Sequence, residues 1–442
     1  MAVFRMVVGN RSAISCITSV IHEKKFLTKI MAIDKTEKEG MQNKPTVIDL
    51  FAGCGGLSLG LHLAGWQGLF AVEKSKDAFQ TLEHNLIKKE KHFDWPSWLN
   101  VGPHEIDELL EKHAEDLQAL RGKVDLVAGG PPCQGFSMAG KRIEHDSRNQ
   151  LVFSYIKFID IVRPKVLLFE NVKGFTCSFS KEKGVKPYSS AVRNELEKLG
   201  YNVKAEIIDF SEYGIPQKRK RFIMVGVYER ENDFFNRLSS DKQKFLKDYG
   251  VTKCISVKDA ISDLSSKNPR KATPGRKGFE SGMYSPPSSA YQRKMRKNLP
   301  SGRIPDSHSF ANHGQGTVDL FSRLIRRAKH GTRMTTEERK KWGIGRRSVF
   351  ILDENAPAPT LTSNPDDIIH YSEPRILTAR EYARIQTFPD WYEFKSKYTT
   401  GGKERRKEVP RYTQIANAVP PLFAELIGKT LKEICNYGSK EI

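Results

Sequence analysis

Three short segments carry residues whose types and spacing could do chemistry. In GGPPCQGFS, Gly129 to Ser137, Cys133 follows two glycines and two prolines just after the apolar run VDLVA. A structural thiol normally sits within an apolar run, whereas this one lies in a loop at a strand's end. A reactive thiolate needs that kind of exposure, together with positive neighbours. In FENVKGF, Glu170 closes a second apolar run, VLLFE. A partly buried carboxyl there can hold a proton and act as a general acid. In QKRKRFIMVG, Arg219 and Arg221 lead into a strand, and alternation points both to one face. They suit a phosphate or a base. Taken singly, each has a bland counterpart: a structural cysteine, a Glu capping a helix, a solvated basic face.

A fourth segment could hold a cofactor. DLFAGCGGLSLG, Asp49 to Gly60, reads as a strand, a glycine turn and the opening of a helix. Gly53, Gly55 and Gly56 would let the backbone bend tightly and a ligand approach it. The pattern is not G-x-G-x-x-G, and no Lys-Ser/Thr follows, so neither a dinucleotide fingerprint nor a phosphate loop is indicated. Glu73 ends the next apolar run twenty positions after Gly53. An acidic residue at that place grips ribose hydroxyls in folds of this kind. The bland counterpart is a tight turn plus a surface Glu.

These residues need a common frame. TVIDLF (46–51), GLFAVE (68–73), VDLVAGG (124–130), KVLLFEN (165–171), VKAEIID (203–209) and FIMVGV (222–227) are short apolar runs rich in β-formers. Helical patterns lie between most of them: LSLGLHLAGW (57–66), 75–89 and LVFSYIKFIDIV (151–162). Strands alternating with helices predict a parallel, doubly wound α/β sheet. Its C-terminal edge, where ligands collect, would carry Glu73, Cys133 and Glu170. The rhythm stops near Tyr228. Thr378 and Glu381 have capping-box spacing, which predicts a helix from about Ala379; Thr335 and Glu338 share that spacing. A last helix is expected over 420–434. Residues 1–41 read as a peripheral extension.

The 442 residues carry 73 Lys+Arg against 52 Asp+Glu, a net charge of +21. Residues 253–350 hold 22 Lys+Arg and 7 Asp+Glu, so +15 of that excess lies in one Pro-, Gly- and Ser-rich block. Such a block suits a polyanion. No run approaches the roughly 20 apolar residues of a membrane span, and the N-terminus lacks the unbroken apolar core of a secretory signal. The six cysteines form no C-x-x-C pair, which speaks against a disulfide framework or structural zinc and for reduced thiols in a cytosol.

Together, and in this order, the segments resemble the DNA (cytosine-5)-methyltransferase family, in particular its bacterial restriction-modification type. The resemblance runs from about Thr46 to Leu431. It includes RILTAREYARIQTFPD (375–390) and YTQIANAVPPLFAELIG (412–428). The last block usually reads Gly-Asn; here it is Ala416-Asn417, so a different turn is expected there. The resemblance implies a Rossmann-like S-adenosylmethionine-dependent methyltransferase fold with a smaller, irregular target-recognition domain. Catalytic residues would be Cys133, Glu170, Arg219 and Arg221. The cofactor S-adenosylmethionine would lie against Phe51, Gly53, Gly55, Gly56, Leu57, Glu73, Glu105, Ile106, Pro131 and Asn417, with Phe51 walling the adenine. No metal is implied. Expected domains are a catalytic and cofactor-binding part at 42–232, a target-recognition part at 233–370, and a return to the first part at 371–437.

The implied activity is methylation of cytosine C5 in a specific duplex DNA sequence, by base flipping and a covalent bond from Cys133 to C6. The expected partner is double-stranded DNA, with a cognate restriction endonuclease acting separately. A monomer in the bacterial cytosol or nucleoid is expected. Two rivals differ at named residues. A relative that methylates tRNA would carry a Cys-Phe-Thr signature, which is absent. A catalytically dead DNA-binding regulator would have lost the Pro-Cys nucleophile or the Glu of ENV, and both are present as Cys133 and Glu170.

Overall fold

Apolar runs without polar interruption form strands that are covered on both sides, and six of them build the central sheet. The computed structural model describes residues 44–132, 150–177, 187–251, 254–300, 302–399, 404 and 407–437. Strands β1 (Thr46–Leu50), β2 (Gln67–Val72), β3 (Leu126–Gly129), β4 (Val166–Val172), β5 (Tyr201–Asp209) and β6 (Lys220–Tyr228) pair in the order β2-β1-β3-β4-β6-β5. Alternate residues fall into two separate cores. Val47, Leu126, Ala128, Leu168 and Val225 join one, while Ile48, Val127, Leu167, Phe169 and Met224 join the other. That is the period-2 signature of a sheet buried on two faces.

Helices cover both faces. On the first pack α1 (Gly56–Leu63) and, from far along the chain, α7 (Phe234–Asp248) and α14 (Pro421–Tyr437). On the second pack α3 (Ile106–Lys112), α4 (Ala114–Ala119), α5 (Gln150–Val162) and α6 (Tyr188–Lys198). Helix α2 (Lys76–Leu82) follows β2. Contact between α1 and α14 is close enough to require a glycine. A Cβ on Gly60 would stand 2.2 Å from the Ala424 Cβ. Trp66 Nε1 also donates to the Gly428 carbonyl at 2.8 Å. Helix α1 stops at Leu63 rather than running to residue 66, because Gly65 takes φ +87 and turns the chain into β2.

The sequence predicts a parallel sheet, and one strand departs from it. Strands β2, β1, β3 and β4 are parallel, but β6 runs antiparallel to both β4 and β5. Only residues 210–219 separate β5 from β6. A parallel crossover takes about a dozen residues or more, usually with a helix. The short link, turning at Gly214 with φ +77, therefore folds the chain straight back.

Beyond β6 the elements are short. They are α8 (Val257–Ile261), the hairpin of β7 (Arg270–Ala272) and β8 (Glu280–Gly282), α9 (Ala290–Met295), α10 (Gln315–Arg327), α11 (Thr336–Lys341) and the paired β9 (Phe350–Ile351) and β10 (Ile368–Ile369). Then come α12 (Ala379–Ile385) and α13 (Arg411–Asn417). Both expected capping boxes form, at Thr378–Glu381 and Thr335–Glu338. Among the described residues, no helix is long and apolar enough to cross a membrane.

Helix α12 is buried along its whole length, arginines included. Arg375 makes a fork to Glu381 at 2.8 and 2.7 Å and pairs with Glu373. Arg384 bonds Asp390 at 2.5 and 2.6 Å and Asp263 at 3.1 Å. Arg380 reaches Asp306 and the Tyr392 carbonyl. Buried charges are costly to desolvate, and good geometry with filled hydrogen bonds is what makes them tolerable. This network ties residues 263, 306, 373 and 390 to one helix. Replacing Arg384 by Met would leave two buried carboxylates under-compensated, Asp263 with Arg296 at 3.3 Å and Asp390 with Arg380 at 3.8 Å. Denaturant unfolding of Arg384→Met should show a loss of about 3–5 kcal/mol; a loss under about 1 kcal/mol would mean the network holds nothing together.

Candidate active site

The parallel register places Val72, Leu50, Gly129 and Phe169 side by side at the C-terminal edge of the sheet. The expected site residues begin one step beyond. After Leu50 the backbone turns through left-handed conformations at Phe51 (φ +59), Gly53 (φ +57) and Gly55 (φ +86), the last being the N-cap of α1. Glu73 clamps this turn. Its carboxylate accepts from the Gly53 amide at 2.9 Å and from the Ser75 amide at 2.7 Å. Burial raises its pKa, and those two amides oppose the rise.

The three glycines differ. A Cβ on Gly53 would meet nothing within 4 Å, so Gly53 faces open space. A Cβ on Gly55 would stand 2.7 Å from the Tyr392 hydroxyl, and one on Gly56 would stand 2.5 Å from the Val419 carbonyl. Packing alone demands glycine at both. Leu57 and Ile106 point into the two cores. Glu105 is the N-cap of α3, exposed and 3.5 Å from Lys74 Nζ. The His104 amide donates to the Glu73 carbonyl at 2.9 Å, which brings that segment to the end of β2.

Asp49, one residue before the strand's end, was not singled out from sequence. It is 1% exposed, and on the α1 side it accepts from the Ser58 hydroxyl. Its Oδ1 is buried without a partner among the described residues. Burial pushes its pKa up to about 7, with Glu73 adding to the rise and Ser58 opposing it. A protonated carboxyl is the form that tolerates such a place.

On the other side of β1, Gly130 and the buried Pro131 extend β3 toward Cys133, which lies outside the described residues. Glu170 stands at the end of β4, against Gly130; a Cβ on that glycine would come 3.0 Å from Glu170 Oε2. Asn171 donates from Nδ2 to the Pro131 carbonyl at 3.3 Å. Antiparallel pairing sets Val172 opposite Arg221, and Arg221 Nε meets Glu170 Oε1 at 3.0 Å. Arg219 is buried, donates from Nη2 to the Ala418 carbonyl at 3.4 Å, and has no acceptor for Nε among the described residues. Burial lowers its pKa well below the ordinary guanidinium range, Arg221 adds to this and Glu170 opposes it. A carboxylate, two guanidinia and the base of the proline loop thus converge at one edge. Asn417 is exposed at the end of α13, next to Ala418.

A family model for C-5 cytosine-specific DNA methylases matches residues 45–433. The chain belongs to the C-5 cytosine-specific DNA methylase family. It is 32% identical over 395 residues to the Type II methyltransferase M.DdeI of Desulfomicrobium norvegicum, covering 87% of this chain and 88% of that one. It is 33% identical over 403 residues to the Type II methyltransferase M.PspPI of a Psychrobacter species, covering 90% and 81%. Among solved structures, an Escherichia coli prophage protein described as a DNA modification methyltransferase superposes with a TM-score of 0.62. It is 24% identical and covers 89% of this chain and 100% of that one.

This methylase is a DNA cytosine-5 methyltransferase, and its late blocks brace the early ones through buried amides. Gln386, just after α12, donates to the carbonyls of Ile415 at 3.0 Å and Ala418 at 2.8 Å, and its own oxygen accepts from Gln217 of the double-arginine segment. Gln414 donates to Asp77 and Val409 carbonyls, and Cys54 donates to its backbone oxygen. Tyr392 donates to the Cys54 carbonyl at 2.6 Å. Ala416 is buried within α13 rather than in a turn, so its side chain packs inside the protein.

Two outcomes follow from this geometry. Gly130→Ala should displace the Glu170 carboxylate by a few tenths of an ångström. The melting temperature should hold while kcat falls roughly tenfold; unchanged kcat would mean Glu170 needs no such placement. Asp49 has a folded pKa near 7 against 3.8 in its ordinary setting. Between those values the folded state keeps a proton that the unfolded state has lost, so raising pH weakens folding. Relative to Asp49→Asn, the wild type should lose a few kcal/mol of stability from about pH 4 to pH 7. Parallel pH–stability curves for the two proteins would contradict the assignment.

Proposed function

We propose that this methylase acts as the modification enzyme of a Type II restriction-modification system, methylating one cytosine within a specific duplex sequence through a covalent cysteine adduct. The observation that carries the reading is the Glu170–Arg221 pair at 3.0 Å beside the base of the Gly130-Pro131 loop. The relatives' Type II names supply the restriction-modification context.

C5 of cytosine is not nucleophilic, and within a duplex it is out of reach. Extruding the base costs a few kcal/mol. The Cys133 thiolate then forms a bond to C6, and the ring electrons shift so that C5 becomes enamine-like. Glu170 hydrogen-bonds N3 and the amino group, offsetting the negative charge that develops on the ring. Arg221 holds Glu170 in place, and Arg219 adds positive field that favours the thiolate. After methylation, a base takes the C5 proton and the Cys133 sulfur leaves with its electron pair.

S-adenosylmethionine, when bound, supplies the electrophilic methyl group. Residues at the glycine turn fit it: Gly53 opens onto free space, Phe51 flanks the turn, and Glu73 presents a carboxylate at the strand's end. The Glu105–Ile106 step and Asn417 complete the set. Residues 42–232 and 371–437 form the catalytic part in this reading, and 233–370 recognise the target. There α10 buries Phe321 and Leu324 and exposes Arg323, Arg326 and Arg327, as a phosphate-binding face would. The enzyme would work as a monomer, with a separate endonuclease cutting unmethylated sites.

Bisulfite sequencing of DNA from cells expressing the protein tests the activity and its sequence specificity together. For the covalent step, duplex DNA carrying 5-fluorocytosine at the target should form a stable adduct, since fluorine cannot leave as a proton. Cys133→Ser should abolish trapping. Trapping by that variant at the wild-type rate would remove Cys133 from the nucleophile role.

A further inference from the structure

A cavity of about 880 Å³ separates the β7–β8 hairpin region from the last catalytic block. Arg276, Phe279 and Ser309 line one side; Tyr398, Thr413 and Asn417 line the other. The Arg276 guanidinium is held in place by groups that carry no charge. It lies 3.4 Å from the Phe279 ring centroid and 4.6 Å from that of Tyr398. Nη1 donates to Ser309 Oγ at 2.9 Å. Two rings and one hydroxyl therefore fix its plane.

Its charge is uncompensated. Among the described residues, no carboxylate pairs with Arg276, and Ser309 is its one hydrogen-bond partner. Arg411, which lies 4.3 Å from the same Tyr398 ring, is the contrast. It donates to Ser307 Oγ and the Ser396 carbonyl and has Asp306 at 3.9 Å. Arg411 is thus spent within the fold, whereas Arg276 keeps its remaining donors for a ligand. Half-burial, with Arg411 nearby, lowers the Arg276 pKa, so acceptors arriving in the cavity would relieve a cost the free protein carries.

We infer that Arg276 is a specificity-determining residue that reads a guanine of the recognition sequence, donating its fork to O6 and N7 in the major groove. The inference rests on the proposal above that residues 233–370 recognise duplex DNA, with this cleft as the place that receives it. A planar, pre-oriented fork matches two acceptors lying in one plane. Phosphate contact needs no such orientation, and the exposed arginines of α10 are suited to it. Ordering Arg276 before binding also removes side-chain entropy from the binding step.

The test compares wild type with Arg276→Gln by bisulfite sequencing of DNA from expressing cells. The wild-type motif should contain an invariant guanine. The variant should relax that position alone, losing roughly five- to hundredfold discrimination. An unchanged set of base preferences in the variant overturns the assignment. Because the variant's activity can fall too low to map, equilibrium binding provides a second readout. Duplexes carry 7-deazaguanine at each guanine of the motif in turn, which removes N7. One position should weaken wild-type binding about tenfold while leaving the variant indifferent. If no position behaves so, the assignment fails. It fails too if the variant weakens equally on every duplex with a salt slope shallower by about one, which marks a phosphate contact. Wild-type protein without affinity for duplex DNA overturns the DNA-cleft reading itself, and this assignment with it; the other outcomes leave that reading intact.

Discussion

The ladder hydrogen bonds between four parallel strands hold Val72, Leu50, Gly129 and Phe169 in a row. Strands β1, β2 and β3 end at this row, while β4 runs on to Val172 beside β6. The turn after β1 uses left-handed backbone at Phe51, Gly53 and Gly55, and Glu73, Pro131 and Glu170, far apart in the chain, are set along the same edge of the sheet. One antiparallel strand completes the edge. Only by running against β4 can β6 deliver its first residues, rather than its last, beside Glu170.

Polar groups buried behind this edge are nearly all matched. Gln386 and Gln414 donate to backbone carbonyls, while Gln217 donates to the Gln386 side-chain oxygen and accepts from the Leu361 amide. Arg375, Arg380 and Arg384 are surrounded by carboxylates and carbonyls. Asp49 Oδ1 and Arg219 Nε, both at the site, are among the exceptions. Unsatisfied groups inside a protein cost free energy.

Much of this was legible in the chain. The strands were, because burial on two faces leaves uninterrupted apolar runs. Glu170 and the two arginines were, because Glu170 lies near the end of one apolar run and Arg219 and Arg221 lead into another; Cys133 lies outside the described residues. The antiparallel β6 was missed although residues 210–219 are visibly too few for a crossover. Asp49 was missed because an acid in an apolar strand looks like its exposed end, and only Ser58 above it shows the side chain facing inward. The three glutamines and the α12 arginines were illegible for a general reason. Amides and guanidinia are ordinary surface groups, and what makes these ones internal is partners more than a hundred residues away, as with Gln217 and Gln386 or Arg384 and Asp263. Arg276 needs Tyr398, on a distant segment, before it differs from its basic neighbours.

The close packing of α14 on α1 also sets an order in time. The glycine turn leaves the ribosome early, but its outer wall comes from Tyr392, Gln414 and Val419. Until those residues emerge, Gly56 and Gly60 lack the groups they pack against. Contacts spanning some 360 residues, as between Cys54 and Gln414, form late and slowly. A nascent chain therefore carries every chemical group of the early segments without the walls that align them. The glycine turn is walled only once Tyr392, Gln414 and Val419 have been added to the chain.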